Sequence, residues 1–174
     1  MRRILKTEAI VLKKRNLLNK DIIITLFTEK YGRLNVVAFG IKKITSRRLS
    51  HIQTGNLIKV LIYKKDDRFY LQESQLISGF SQIKDNQQKI KDLYLFFFVL
   101  DRLLPENQKE LLVYQLTKKF LIDLSKSIAN KKSILTKYLN KTLIFLGYLT
   151  KEKHFDEIKF YIEELLQEKI PSLM

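Results

Sequence analysis

The chain has no cysteine, which excludes disulfides, thiolate metal sites and cysteine nucleophiles. Histidine is nearly absent. His51 and His154 lie far apart with no local pair such as H-E-x-x-H, so both read as loop or surface residues and no metal site is expected. Long apolar runs are missing as well: the longest, Leu93 to Leu100, falls far short of the ~20 residues a bilayer span requires. The apolar stretch after Arg2 and Arg3 is cut by Lys6 and Glu8, so no signal peptide is read and a cytoplasmic protein without a membrane partner is expected. There is no nucleophile beside a base, no carboxylate pair in a glycine-marked cleft and no Walker loop, which argues against an enzyme and against a bound cofactor.

Acidic residues are scarce. Against 18 Asp and Glu stand 33 Lys and Arg, a formal net charge of +15 over 174 residues, and such a balance favours a polyanionic partner. Lys-rich, Ile-rich usage resembles a genome-wide bias and accounts for part of the charge. Arginine is more telling, because seven of eight (Arg2, Arg3, Arg15, Arg33, Arg47, Arg48 and Arg68) fall in the first 68 residues. Lys42, Lys43, Arg47 and Arg48 crowd into seven positions with Thr45 and Ser46 between them and no acid. A loop of point charges, planar guanidinium forks and short hydroxyls suits phosphate.

The hydrophobic pattern divides the chain. Ala9 to Leu12, Asp21 to Thr28, Arg33 to Phe39, Leu57 to Tyr63 and Phe69 to Leu76 read as five short strands, nearly all antiparallel by loop length, with glycines at their junctions. Leu34, Val36 and Ala38 alternate with Asn35, Val37 and Phe39, and Ile58, Val60 and Ile62 share one face. Closure into a small barrel would remove the sheet edges. A five-stranded OB barrel, a three-plus-two sandwich and an SH3-like barrel all fit the strand count. From about Ile83 the period becomes helical. Helices are expected over Gln87–Leu103, Glu106–Ile128 (Leu112, Leu116, Phe120, Leu124 and Ile128 inward), Lys131–Leu146 (Leu135, Leu139, Leu143 and Leu146 inward, Gly147 as cap) and Phe155–Glu168. The chain is thus α+β, with a strand half at 1–80 and an all-helical half at 81–174.

Thr7-Glu8-Ala9-Ile10-Val11-Leu12, Asp21, Leu26-Phe27-Thr28, Tyr31-Gly32-Arg33, Ala38-Phe39-Gly40, Lys42-Lys43, Ser46-Arg47 and Gln53 follow in order the N-terminal pattern of the bacterial recombination mediator family RecO. Leu143 to Tyr148 looks like the family's apolar helix ending in Gly-Tyr. The resemblance implies an N-terminal OB fold, a helical domain, and a non-enzymatic, nucleoid-associated role in DNA repair and recombination. Members bind single- and double-stranded DNA, anneal strands, join RecR, and help load RecA on DNA coated with single-strand-binding protein. Many also carry a four-Cys zinc site after the Gly-Tyr element, and Leu149 to Lys153 contains no Cys. The family's zinc module is therefore absent here.

The residues expected to contact nucleic acid are Arg15, Arg33, Lys42, Lys43, Arg47, Arg48, Lys64, Lys65 and Arg68, with Tyr31, Phe39, Tyr63, Phe69 and Tyr70 as stacking platforms. In the helical half, Lys118 and Lys119 beside Phe120 and Leu121, and Lys137 and Lys141 around Tyr138 and Leu139, are where the acidic, apolar-ended tail of single-strand-binding protein would dock. Solvated helix faces are the plainer reading of those lysines. An RNA- or ribosome-associated OB module fits the same residues, because a basic groove with aromatic stacking accepts either nucleic acid. A helical adaptor with an inert barrel leaves the arginine cluster unexplained.

Overall fold

The protein is described from a computed structural model, covering residues 3–18, 21–40, 48–128 and 132–171. Five strands, β1 (Arg3–Asn16), β2 (Ile22–Thr28), β3 (Gly32–Ala38), β4 (Leu57–Lys65) and β5 (Arg68–Ser78), close a barrel in the order β1-β2-β3-β5-β4. A short helix, α1 (Arg48–His51), stands between β3 and β4. Four of the five neighbouring pairs are antiparallel; β3 and β5 run parallel, with Val36 opposite Phe69 and Val37 opposite Tyr70. This closed five-stranded topology is the OB fold, so the sandwich and the SH3-like barrel are set aside.

β1 is much longer than the apolar run Ala9 to Leu12 because it serves two neighbours. Arg3 to Ile10 pair with β4 and Ala9 to Asn16 with β2, and a bulge between Val11 and Lys13 bends the strand from one to the other. Only at the middle, where both partners meet, are four successive side chains buried, and that stretch is what the sequence shows as a continuous apolar run. The barrel core is the inward set of Leu5, Val11, Ile24, Leu26, Leu34, Val36, Ile58, Val60, Ile62 and Leu71. Ile52, fully buried just after α1, and Leu49, partly buried, pack on this core. His51 Nδ1 lies 3.0 Å from the Ser74 carbonyl, fixing α1 to β5.

The expected helix from Glu106 begins only at Leu111. Residues Pro105–Leu111 belong to the same compact unit as the barrel. Glu106 forms a parallel bridge with Arg33, and the Asn107 N–H donates to the Arg33 carbonyl at 3.0 Å. The first half of β3 has no β5 partner in register, and this segment lies against it instead. The approach is close: a Cβ on Gly32 would meet the Gln108 carbonyl oxygen at 1.7 Å, and the residue sits at φ +73°, so both space and backbone demand glycine.

The second unit holds α2 (Ser81–Lys84), α3 (Gln87–Leu103), α4 (Leu111–Lys126), α5 (Lys132–Phe145) and α6 (Phe155–Leu166). The Asn86 side chain accepts from the Lys89 N–H and caps α3, while Lys89 Nζ donates to the Ser125 carbonyl near the end of α4. Phe96, Phe120 and Tyr138 form its centre, with ring centroids 4.2 and 5.4 Å apart. Tyr138 donates to Asp123 at 2.5 Å; burial first, and that hydrogen bond second, push its phenol pKa well up. Gly147 follows α5 at φ +80°, and the Tyr148 N–H returns to the Leu143 carbonyl at 2.8 Å, as a helix-terminating glycine allows. Leu112 and Ile128, expected inward, are 64% and 92% exposed, and Leu146 is half-buried. Among the described residues no helix is long and apolar enough to cross a membrane.

Candidate nucleic-acid interface

Alternation along β3 sends Leu34, Val36 and Ala38 inward and leaves Asn35, Val37 and Phe39 on the outer surface. Across the parallel pairing Val37 meets Tyr70, and Tyr70 is the direct cross-strand partner of Tyr63. The outcome is a ladder of three rings on the outside of the barrel. Phe39 stacks on Tyr70 with centroids 5.3 Å apart and planes 15° apart, and Tyr70 stacks on Tyr63 at 5.1 Å and 19°. Phe39, at one end, is 50% exposed. An exposed ring on an outward strand position is not required by the core and offers a π-face to another planar group.

Beside the ladder lies a cleft of about 580 Å³. Its floor is the outer face of β2 and β3, from Ile23, Asn35, Val37 and Phe39. Leu17 and Asp21 from the β1–β2 connection form one side, Asp67 and Arg68 from the β4–β5 hairpin another, and Glu106 and Asn107 a third. This is the face, between the first and last hairpin loops, with which OB folds take up oligonucleotides. Asp21 Oδ1 accepts the Gly40 N–H at 3.2 Å, which ties the end of β3 to the β1–β2 connection just where the basic stretch departs.

The expected cations are distributed unevenly around it. Arg68 is exposed and lines the cleft, and Lys65, opposite it in the hairpin register, is exposed too. Lys64 bonds Asp67 at 2.9 Å and holds that carboxyl below its ordinary range; its Nζ also lies 5.9 Å from the Phe69 ring centre. Arg15 is exposed on β1, opposite Ile23. Arg33 is placed differently: its side chain is only 16% exposed and pairs with Glu106 at 3.3 Å, and the same carboxylate accepts from Asn35 Nδ2 at 2.7 Å. Lys42, Lys43 and Arg47 lie outside the described residues, as does the side chain of Arg48. Of the five aromatics, Phe39, Tyr63 and Tyr70 come together in the ladder, whereas Tyr31 and Phe69 are partly buried against the barrel core.

In the helical unit, Phe120, Leu121, Tyr138 and Leu139 are all buried core residues. Lys119 and Lys137 are exposed, Lys118 and Lys141 half-buried, and Lys137 Nζ lies 5.5 Å from the Tyr138 ring centre. Ile23, Val37 and the wall formed by Glu106 and Asn107 were not among the residues expected from sequence. Val37 was legible as an outward apolar residue on an alternating strand; the wall had no local signal. Among the described residues no group of three or more His, Asp and Glu is arranged to hold a metal.

The fold and this face define an OB-fold protein with a helical extension. Residues 1–80 match the family described as Recombination protein O N terminal. DNA repair protein RecO of Caldanaerobacter subterraneus subsp. tengcongensis is 31% identical over 147 residues, covering 84% of this chain and 60% of that protein. RecO of a Thermoanaerobacter species is 30% identical over 147 residues (84% and 59%), and that of Mycoplasma mycoides subsp. mycoides SC 29% identical over 147 (83% and 56%). The chain belongs to the RecO family. It matches a little under three-fifths to three-fifths of the length of these curated relatives, with 60% the largest share among the three.

Proposed function

We propose that the chain acts in DNA repair as a recombination mediator, binding single- and double-stranded DNA on the β2–β3 face, annealing strands and helping to load RecA on DNA covered by single-strand-binding protein. The observation that carries this reading is the coincidence of the aromatic ladder with the β2–β3 cleft, beside exposed Arg68 and Lys65. Bases stack on Phe39, Tyr70 and Tyr63, and phosphates run along Arg15, Lys64, Lys65, Arg68 and the loop cations Lys42, Lys43, Arg47 and Arg48. The barrel half, residues 1–80, serves as the nucleic-acid-binding domain, and residues 81–174 serve partner contacts. These partners are RecR and the acidic tail of single-strand-binding protein, the latter drawn to Lys118, Lys119, Lys137 and Lys141. No bond is made or broken in this role.

The test is a titration of the full chain against fluorescent oligonucleotides, single- and double-stranded, of DNA and of RNA, at two salt concentrations. Salt-sensitive binding to single-stranded DNA supports the mediator reading. Binding confined to RNA would replace it with an RNA- or ribosome-associated module, and absence of binding to all four would remove both.

A further inference from the structure

We propose that a second depression, at the end of the barrel, binds the terminal phosphomonoester of a strand whose neighbouring bases lie on the aromatic ladder; this rests on the nucleic-acid reading of the β2–β3 face. The depression has a volume of about 510 Å³ and is rimmed by Lys30, Lys64 and Lys109. These cations come from three separate stretches: the turn after β2, the end of β4, and the Pro105–Leu111 segment laid against β3. The meeting of three lysines from three segments around one depression is a product of the fold and not of a basic run in the sequence.

Two features make a strand end the fitting ligand. The first is shape. Leu5 and Leu34, both nearly fully buried members of the barrel core, form the floor, with Tyr31 and Phe69 beside them. The packed core closes the depression on its inner side and gives a strand end a surface to seat against. The second is charge. Asp67 is the one acid among the described residues lining it, and it is bonded to Lys64 at 2.9 Å. Three ammonium groups against one carboxylate leave two positive charges. A phosphodiester within a strand brings one negative charge, whereas a phosphomonoester carries about −1.5 to −2 at neutral pH and offers three acceptor oxygens.

The position agrees with this. Asp67, Phe69 and Asn107 line both the depression and the larger cleft, so a strand leaving the cleft over the β4–β5 hairpin reaches the depression directly. Lys30 and Lys109 are exposed and take no part in the larger cleft, which allows them to be changed without touching the ladder.

The experiment titrates the full chain with a short oligothymidylate carrying a 5′-phosphate, a 3′-phosphate or no terminal phosphate. One phosphorylated form is expected to bind about five- to tenfold tighter than the bare strand, as a charge-assisted contact would give. The Lys30→Ala/Lys109→Ala variant should lose that gain and bind the bare strand as the wild type does. Equal affinity of the wild type for all three strands overturns the proposal, as does a variant that keeps the gain. Failure of the wild type to bind any strand would instead fall on the parent reading. In that event an NMR titration with thymidine monophosphate decides: shifts at Tyr31, Phe69 and Lys109 that vanish in the variant support the depression as a phosphate site, and their absence overturns it.

Discussion

Gly32→Ala measures how much of the barrel depends on the segment returning from residue 105. A Cβ there lies 1.7 Å from the Gln108 carbonyl oxygen and 2.4 Å from its carbon, backbone atoms that no rotamer change can clear. The segment must withdraw. With it go the hydrogen bond from the Asn107 N–H to the Arg33 carbonyl at 3.0 Å, that from Asn35 to Glu106 at 2.7 Å and the Arg33–Glu106 pair at 3.3 Å. The left-handed backbone adds about 1–2 kcal/mol for a residue with a Cβ, each hydrogen bond about 0.5–1.5 and the partly exposed pair no more than about 1. A loss of about 2–6 kcal/mol from the barrel is therefore expected. Gly40→Ala is the control: φ is +62° and nothing lies within 4 Å of its Cβ, so only the backbone cost of ~1–2 kcal/mol remains. Urea unfolding followed by far-UV circular dichroism, with amide exchange of Asn107 as the local readout, compares the two. Equal destabilisation by both substitutions, with Asn107 still protected, would refute the reasoning.

Replacing Lys42, Lys43, Arg47 and Arg48 with Ala should flatten the dependence of log K on log salt for single strands by ~0.7 for each phosphate that is no longer neutralised. An unchanged slope with the barrel intact would take the loop out of the interface. Tyr138→Phe removes the donor to Asp123 and is expected to cost about 1–2 kcal/mol in thermal or urea unfolding. Because the folded state holds the Tyr138 proton above its ordinary pKa, its contribution is fully present below about pH 10 and fades as pH rises further, when the unfolded chain loses the proton first. The Phe variant should therefore show a shallower alkaline fall in stability than the wild type, and identical slopes would refute the assignment.

The parts of the fold set by local pattern were legible, and those set by distant partners were not. Alternation in β3 placed Leu34, Val36 and Ala38 inside, and the helix Gln87–Leu103 ends where Leu104 and Pro105 interrupt it. The step-of-four reading of α4 failed at its ends for a geometric reason. Four residues overshoot one turn by about 40°, so Leu112 rotates off the face that buries Leu116, Phe120 and Leu124, and Ile128 lies beyond the last helical residue, Lys126. Glu106 to Glu110 read as a helix start because nothing in their composition forbids one; their partner is Gly32 and Arg33, more than seventy positions upstream. The parallel β3–β5 pairing was hidden likewise, since α1 and all of β4 separate the two strands. At the site, residue types indicated cations and rings but not their company. That Arg33 is held by Glu106, and that three of five aromatics stack in line, are consequences of register.

The central claim is that the ladder on the outer face of the barrel receives the bases of a single strand, and Phe39→Ala tests it most directly. Phe39 is half-exposed and ends the stack, so its removal should leave the unfolding transition within ~0.5 kcal/mol of the wild type. Affinity for a fluorescent single-stranded oligonucleotide, measured by anisotropy at fixed salt, should fall by about 1–3 kcal/mol, the value of one base stacked on one ring, with the salt slope unchanged. Wild-type affinity in the folded Phe39→Ala protein would contradict the account.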